Sequence, residues 1–133
     1  MIVADANLLA YLIIRGERTL VARAIHAGDR DWVAPPLWRS ELRAILLKYL
    51  RAGLADLPSA FAAWARAEAT MRDAPLPVNT ELALDLSLSR GISSYDAEYV
   101  AMATELGVPL ITNDRKLIRA CPHETVSMDD FLP

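Results

Sequence analysis

Short apolar runs alternate along this chain with longer segments in which apolar residues return every three or four positions. "MIVA" at the start is β-branched and too short for a helix, so it predicts a strand, and Asn7 stands where an N-cap would open a helix through "LLAYLII". "TLVARAIHAG" carries apolar residues at 20, 21, 24 and 25 and closes at Gly28, which predicts a second helix with its C-terminal signal. "DWVAPP" predicts a second strand. Pro35 and Pro36 stop it and open a long helix from Leu37 to Gly53, with Trp38, Leu42, Ile45, Leu46 and Tyr49 on one stripe. Asp56 and Pro58 start a further helix, whose inner face is expected to carry Phe61, Trp64 and Met71.

"DAPLPV" reads as a connector with room for a short extended stretch, after which Asn79 caps "TELALDLSLSRG", closed by Gly91. Ser93 is the expected N-cap of the next helix, with Asp96 three residues on, in the spacing of a capping box but with Asp in place of Glu or Gln. Tyr95, Tyr99, Met102 and Leu106 are expected to line its apolar face, and Gly107 ends it. "VPLIT" predicts a third strand, "NDRKLIRA" a short helix and "ETVSM" a last strand. No internal repeat or low-complexity tract interrupts this order. Strands alternating with helices imply an α/β fold: one domain over residues 1–133, three layers α/β/α around a short-stranded, mainly parallel sheet with right-handed crossovers. In such sheets ligands bind beyond the carboxyl ends of the strands.

Composition narrows the class. Hydrophobic residues make up 53% of 133, which excludes a disordered chain. Apolar stretches are broken by charge before the ~20 residues of a membrane span, and an Asp in the opening run excludes a signal peptide, so a cytoplasmic protein with no membrane partner is expected. Cys121 is the only cysteine; no internal disulfide can form, and no Cys/His spacing suits zinc. The net charge of −3 hides an asymmetry. Residues 1–55 hold eight Arg and Lys against five Asp and Glu, whereas residues 56–133 hold six against twelve. Arg39, Arg43, Lys48 and Arg51 share the long helix, as a solvated face or as a surface that tracks phosphates.

Four acids interrupt apolar surroundings. Asp5 lies at the carboxyl end of the first strand and Asp114 just past that of "VPLIT", so two carboxylates from distant sequence reach one rim. Glu41 falls in the first turn or so of the long helix, and Asp96 in the first turn of its own, where the helix terminus favours an ionised carboxylate by ~0.3 to 1 kcal/mol. Each has a structural reading: Asp5 as a cap, Glu41 as a solvated acid, Asp96 as half of a capping box, Asp114 as the first helical residue after an Asn113 cap. Together they repel one another without compensation, and the nearest cations in sequence, Arg115 and Lys116, are expected to point outward. Hard oxygen donors without thiolate or histidine suit Mg²⁺ or Mn²⁺.

"VADAN", "SELRAIL", "SSYDAEYVAMATELG" and "LITND" occur in the order and spacing of the PIN-domain family of metal-dependent ribonucleases, and the chain resembles its VapC-type toxins of bacterial and archaeal toxin–antitoxin pairs. The resemblance runs from Met1 to about Leu132. It places the family's acidic quartet, catalytic and metal-binding, on Asp5, Glu41, Asp96 and Asp114, with Asn7 and Thr112 as hydrogen-bonding residues that shape the site. Glu98, Asp129 and Asp130 are possible partial substitutes for the fourth acid; Glu98 is expected to face solvent and the other two to belong to the tail. The resemblance implies Mg²⁺- or Mn²⁺-assisted hydrolysis of an RNA phosphodiester leaving a 5′-phosphate and a 3′-hydroxyl, a homodimer, and inhibition by a VapB-like antitoxin. Arg39 and Arg43 are the expected guides for the RNA backbone. Trp38, Tyr49, Phe61 and Trp64 are either core or a groove for an antitoxin helix.

Two other classes share part of this pattern. A phospho-accepting receiver-like signalling domain is also a small α/β protein with Mg²⁺ and acids at strand ends, but it needs paired acids after the first strand, an Asp ending a central strand and a late Lys. "DAN" supplies one acid, "DWVAP" ends without one and Lys116 falls in a helix. A catalytically inactive PIN-like binding module is disfavoured by the presence of all four acids.

Overall fold

The computed structural model describes residues 1–132. Its elements follow in the order β1 (Ile2–Ala4), α1 (Ala6–Ile13), α2 (Thr19–Gly28), β2 (Trp32–Val33), α3 (Leu37–Arg51), α4 (Leu57–Thr70) and β3 (Met71–Arg72). Then come α5 (Thr80–Arg90), α6 (Ser94–Leu106), β4 (Leu110–Ile111), α7 (Arg115–Ala120), β5 (Thr125–Val126) and α8 (Met128–Phe131). The sheet order is β3-β2-β1-β4-β5, and each of its four pairings is parallel. Val3 is paired with Val33 on one side and Leu110 on the other. A central parallel strand is covered on both faces, so every residue of β1 must be apolar. Ile2, Val3 and Ala4 are buried accordingly.

Parallel neighbours require crossovers, and the helices supply them. Helices α2, α3 and α4 each pack on α1, α5 packs on α6, and α6 lies against β1 and β4. Its buried face is Ala97, Tyr99, Val100, Ala101, Met102 and Ala103; the alanines let the helix approach the strands closely. Tyr95, expected on that face, is exposed. Gly91 and Gly107 end α5 and α6 at φ +66° and +65°, the left-handed region where a β-carbon is strained.

Several sequence expectations need correction. Asp5, not Asn7, is the N-cap of α1, its Oδ1 accepting from Leu8 N–H at 2.7 Å. Strand β1 ends at Ala4, so the next residue is the one with extended backbone ahead of the helix, and Asn7 falls inside the first turn. Asp114 rather than Asn113 caps α7: its backbone is extended ahead of the helix, and its side chain accepts from Lys116 and Leu117 N–H at 3.0 and 3.1 Å. Asn113 instead accepts from Met128 N–H and fixes the start of α8, an element the sequence reading omits. The inner face of α4 is alanine, at 60, 63 and 67; Phe61 points outward at 66% exposure and Trp64 is half-buried. Met71 leaves the helix and begins β3, two residues long and recognisable only through its pairing with β2. Helix α3 stops at Arg51, two residues before Gly53, and Tyr49 of its expected stripe is exposed.

Candidate active site

From β1 the chain moves outward through β2 to β3, then returns to lay β4 on the opposite side of β1. The order therefore reverses between β1 and β4, and at such a switch point the two loops leaving the strands diverge and open a crevice. Asp5 leaves β1 there, and Thr112 and Asp114 leave β4. Helix α3 brings Glu41 and α6 brings Asp96 to the same crevice. The result is a cavity of about 270 Å³ lined by all six sequence-predicted residues, Asp5, Asn7, Glu41, Asp96, Thr112 and Asp114.

Burial and crowding set its electrostatics. Burial pushes the Asp5 carboxyl up to about 6; the Thr112 hydroxyl and the Leu8 amide offset part of this, and the Glu41 and Asp114 charges add to it. Glu41 is raised by burial first, lowered in part by the Tyr99 hydroxyl, and raised again by Asp96 and Glu98. Asp96 is raised by burial and then by Asp114, against the Ser93 hydroxyl. Each acid of the quartet thus acts on another across the cavity. Thr112 is buried, and its Oγ1 accepts from Asp114 N–H at 3.1 Å, which fixes the loop that carries the fourth acid.

Two lining residues escaped the sequence reading. Tyr99, read there as apolar packing, donates its phenolic O–H to Glu41 Oε1 at 2.6 Å. Its own hydroxyl is pushed upward, by burial first and then by Glu41. Lys48 is the cation at the cavity, in place of the Arg115 and Lys116 considered from sequence. It is exposed, and among the described residues it joins no ion pair. A helical period was the available signal: Tyr99 follows Asp96 by three residues and Lys48 follows Glu41 by seven, so each shares a face with its acid.

The donor chemistry fits a hard divalent cation: four carboxylates from four segments, three of them raised by burial, face one lysine. Among the described residues no three Asp, Glu, His or Cys side chains are gathered tightly enough to hold a metal ion as they stand. The acids line a shared cavity rather than a closed cage. Three of them also have structural work: Asp5 and Asp114 cap helices, and Glu41 takes the tyrosine proton donor.

The remaining sequence candidates fall elsewhere. Glu98 is half-buried rather than solvent-facing and lines a neighbouring cavity. Asp129 pairs with Arg18 at 3.4 Å and Asp130 with Ser127, both away from the crevice. Trp38 is buried and stacks on Trp64 with ring centroids 5.7 Å apart; Arg39 lies 4.6 Å over Trp38 and Arg43 5.0 Å over Trp64. Tyr49 lines a separate apolar cleft, and Phe61 is exposed outside it, so the four aromatics do not form one groove.

Fold and cavity together define a parallel α/β domain with an acidic site at the sheet's switch point. The PIN domain model matches residues 2–121, nearly the whole chain, and the chain belongs to the PIN domain family. PIN domains are typically nucleases and generally bind divalent metals. A crystal structure of PAE2754 from Pyrobaculum aerophilum has the same fold, at TM-score 0.78 and 22% identity, over 98% of this chain and 92% of that one. No curated protein matches the chain. Among the described residues no helix is long and apolar enough to cross a membrane.

Proposed function

We propose that the chain is a Mg²⁺- or Mn²⁺-dependent endoribonuclease, the toxin of a VapBC-type pair acting in the cytoplasm. The observation that carries this reading is the convergence of Asp5, Glu41, Asp96 and Asp114 on one cavity at the switch point of a PIN-domain sheet. These four residues would hold the cation, which would offset their mutual repulsion and supply Lewis-acid activation of a water for hydrolysis of the phosphodiester. The cap hydrogen bonds orient the Asp5 and Asp114 carboxylates, and Thr112 fixes the loop that carries Asp114. Tyr99 holds the Glu41 carboxylate in place, and Lys48 at the cavity mouth attracts the RNA backbone.

Two exposed apolar surfaces support the partners. Leu84 and Leu88, one turn apart on α5, are 57% and 88% exposed and Tyr95 at the start of α6 is 63% exposed, apolar surface that suits a homodimer contact. The cleft of about 410 Å³ that includes Tyr49 and Leu54, beside exposed Phe61, suits the apolar face of an antitoxin helix. The test is RNA cleavage with Mg²⁺ or Mn²⁺, with EDTA, and with Asp5→Asn or Asp96→Asn. Cleavage is expected to need the cation and to fall ~100-fold or more in either variant, the scale on which a charge-stabilising group matters. Full activity in EDTA overturns the proposal.

A further inference from the structure

A second and larger cavity, about 610 Å³, opens on the same rim of the sheet, beyond the carboxyl ends of β2 and β3. Two helices divide it from the acidic cavity and contribute to both. Helix α3 gives Leu37, Trp38 and Arg39 to the larger cavity and Glu41 to the acidic one, while α6 gives Glu98 to the larger and Asp96 and Tyr99 to the acidic. Resting on the nuclease reading of the acidic cavity, we infer that this neighbouring cavity is a nucleobase subsite, shaped for a guanine adjacent to the scissile phosphate.

Two features of the cavity and the general mode of single-strand recognition argue for a base. Its walls include Pro36, Leu37, Pro75, Leu76, Pro77 and Val78, and prolines with fixed φ make a slot that is rigid before a flat ring enters. Its volume lies in the ~300 to 1,000 Å³ range of small-ligand sites. Single-stranded RNA is read by taking unstacked bases into such slots and hydrogen-bonding their edges.

The polar groups select the base. Arg72 is paired with Asp31, whereas Arg39 is held over the Trp38 ring and joins no ion pair among the described residues, so its guanidinium is the one open to a phosphate. Glu98 is a half-buried carboxylate, an acceptor with two oxygens and no proton to give when ionised. Guanine presents N1–H and N2–H side by side, two donors matched to those oxygens. Uracil offers one N–H between two carbonyls that a carboxylate repels, and adenine or cytosine offers one amino group.

The test is titration of the whole chain with 5′-GMP and 5′-UMP in EDTA, followed by NMR shift changes, so that neither metal nor cleavage contributes. GMP is expected to shift Leu37, Leu76 and Val78 and to bind ~10-fold more tightly than UMP, the size of a bidentate base contact. Glu98→Gln should bring GMP to the UMP level and leave UMP unchanged. Arg39→Ala should weaken GMP several-fold and leave guanosine unaffected. Leu76→Trp, which fills the slot, should abolish both; the isosteric change at half-buried Glu98 gives a reading independent of that variant's folding. Equal binding of GMP and UMP, no response to Glu98→Gln, or GMP shifts confined to the acidic cavity overturns the subsite. Metal-dependent RNA cleavage persisting without any GMP preference defeats the subsite alone, whereas GMP preference without cleavage defeats the nuclease reading alone.

Discussion

The phenolic O–H of Tyr99 reaches across the acidic cavity to Glu41 Oε1 at 2.6 Å, so a residue of α6 holds a carboxylate of α3. A hydrogen bond to a charged group contributes about 1.5 to 3 kcal/mol when its partner would otherwise be left unsatisfied. Tyr99→Phe removes the one influence named above that favours ionised Glu41, so the Glu41 carboxyl rises further. The acidic limb of the activity–pH profile is expected to move to higher pH, with a stability loss of about 1 to 3 kcal/mol at pH 7.5 by urea denaturation. An unmoved acidic limb separates Tyr99 from the site.

Burial above all pushes the Asp5 carboxyl up to about 6 in the folded chain, from an ordinary 3.8. The folded state therefore holds this proton more tightly than the unfolded one. Its stability is highest where both states are protonated and falls as pH rises from about 3.8 to about 6. Burial and the Glu41 and Asp114 charges, offset in part by the Thr112 and Leu8 hydrogen bonds, together cost on the order of 3 kcal/mol at neutral pH. Asp5→Asn removes that cost and keeps an oxygen to accept from Leu8 N–H, so the cap survives. In EDTA the variant should exceed the wild type in stability at pH 7.5 and match it near pH 4. A variant less stable at both values would make Asp5 a structural cap alone.

Cation binding should reverse that ranking. With millimolar Mg²⁺ or Mn²⁺ the wild type is expected to gain stability, by about 2.7 kcal/mol when the ion stands at a hundred times its Kd. Asp5→Asn and Asp96→Asn should gain much less. Thermal denaturation across a divalent-ion series measures it, and equal gains in all three proteins would remove both carboxylates from the ligand set.

Leu88 is 88% exposed on α5, and Leu84 lies one turn before it. If this surface joins two copies, Leu88→Arg places a charge at the contact and should raise the dimer dissociation constant ~10-fold or more by analytical ultracentrifugation, since an unpaired buried charge is strongly unfavourable. Its effect on the melting temperature of the monomer should be small. An unchanged sedimentation profile rules out this face.

The order of elements was legible in the sequence because local chemistry dictates it. Caps such as Asn79 and Ser93, stops such as Gly91 and Gly107, and the fully apolar "IVA" act within a few residues. The same locality made the four acids visible, since a carboxylate at the end of an apolar run stands out without any knowledge of neighbours. Tertiary structure alone decided which residues meet. That Tyr99 faces Glu41, that Lys48 is the cation at the cavity, that β3 exists at all and that α4 buries alanines rather than Phe61 depend on contacts between segments distant in the chain, 58 residues for Tyr99 and Glu41 and 39 for Trp32 and Met71 of the β2–β3 pair. Periodicity gives a side chain its direction on its own helix, but the partner on that side is set by how the helices pack around the sheet.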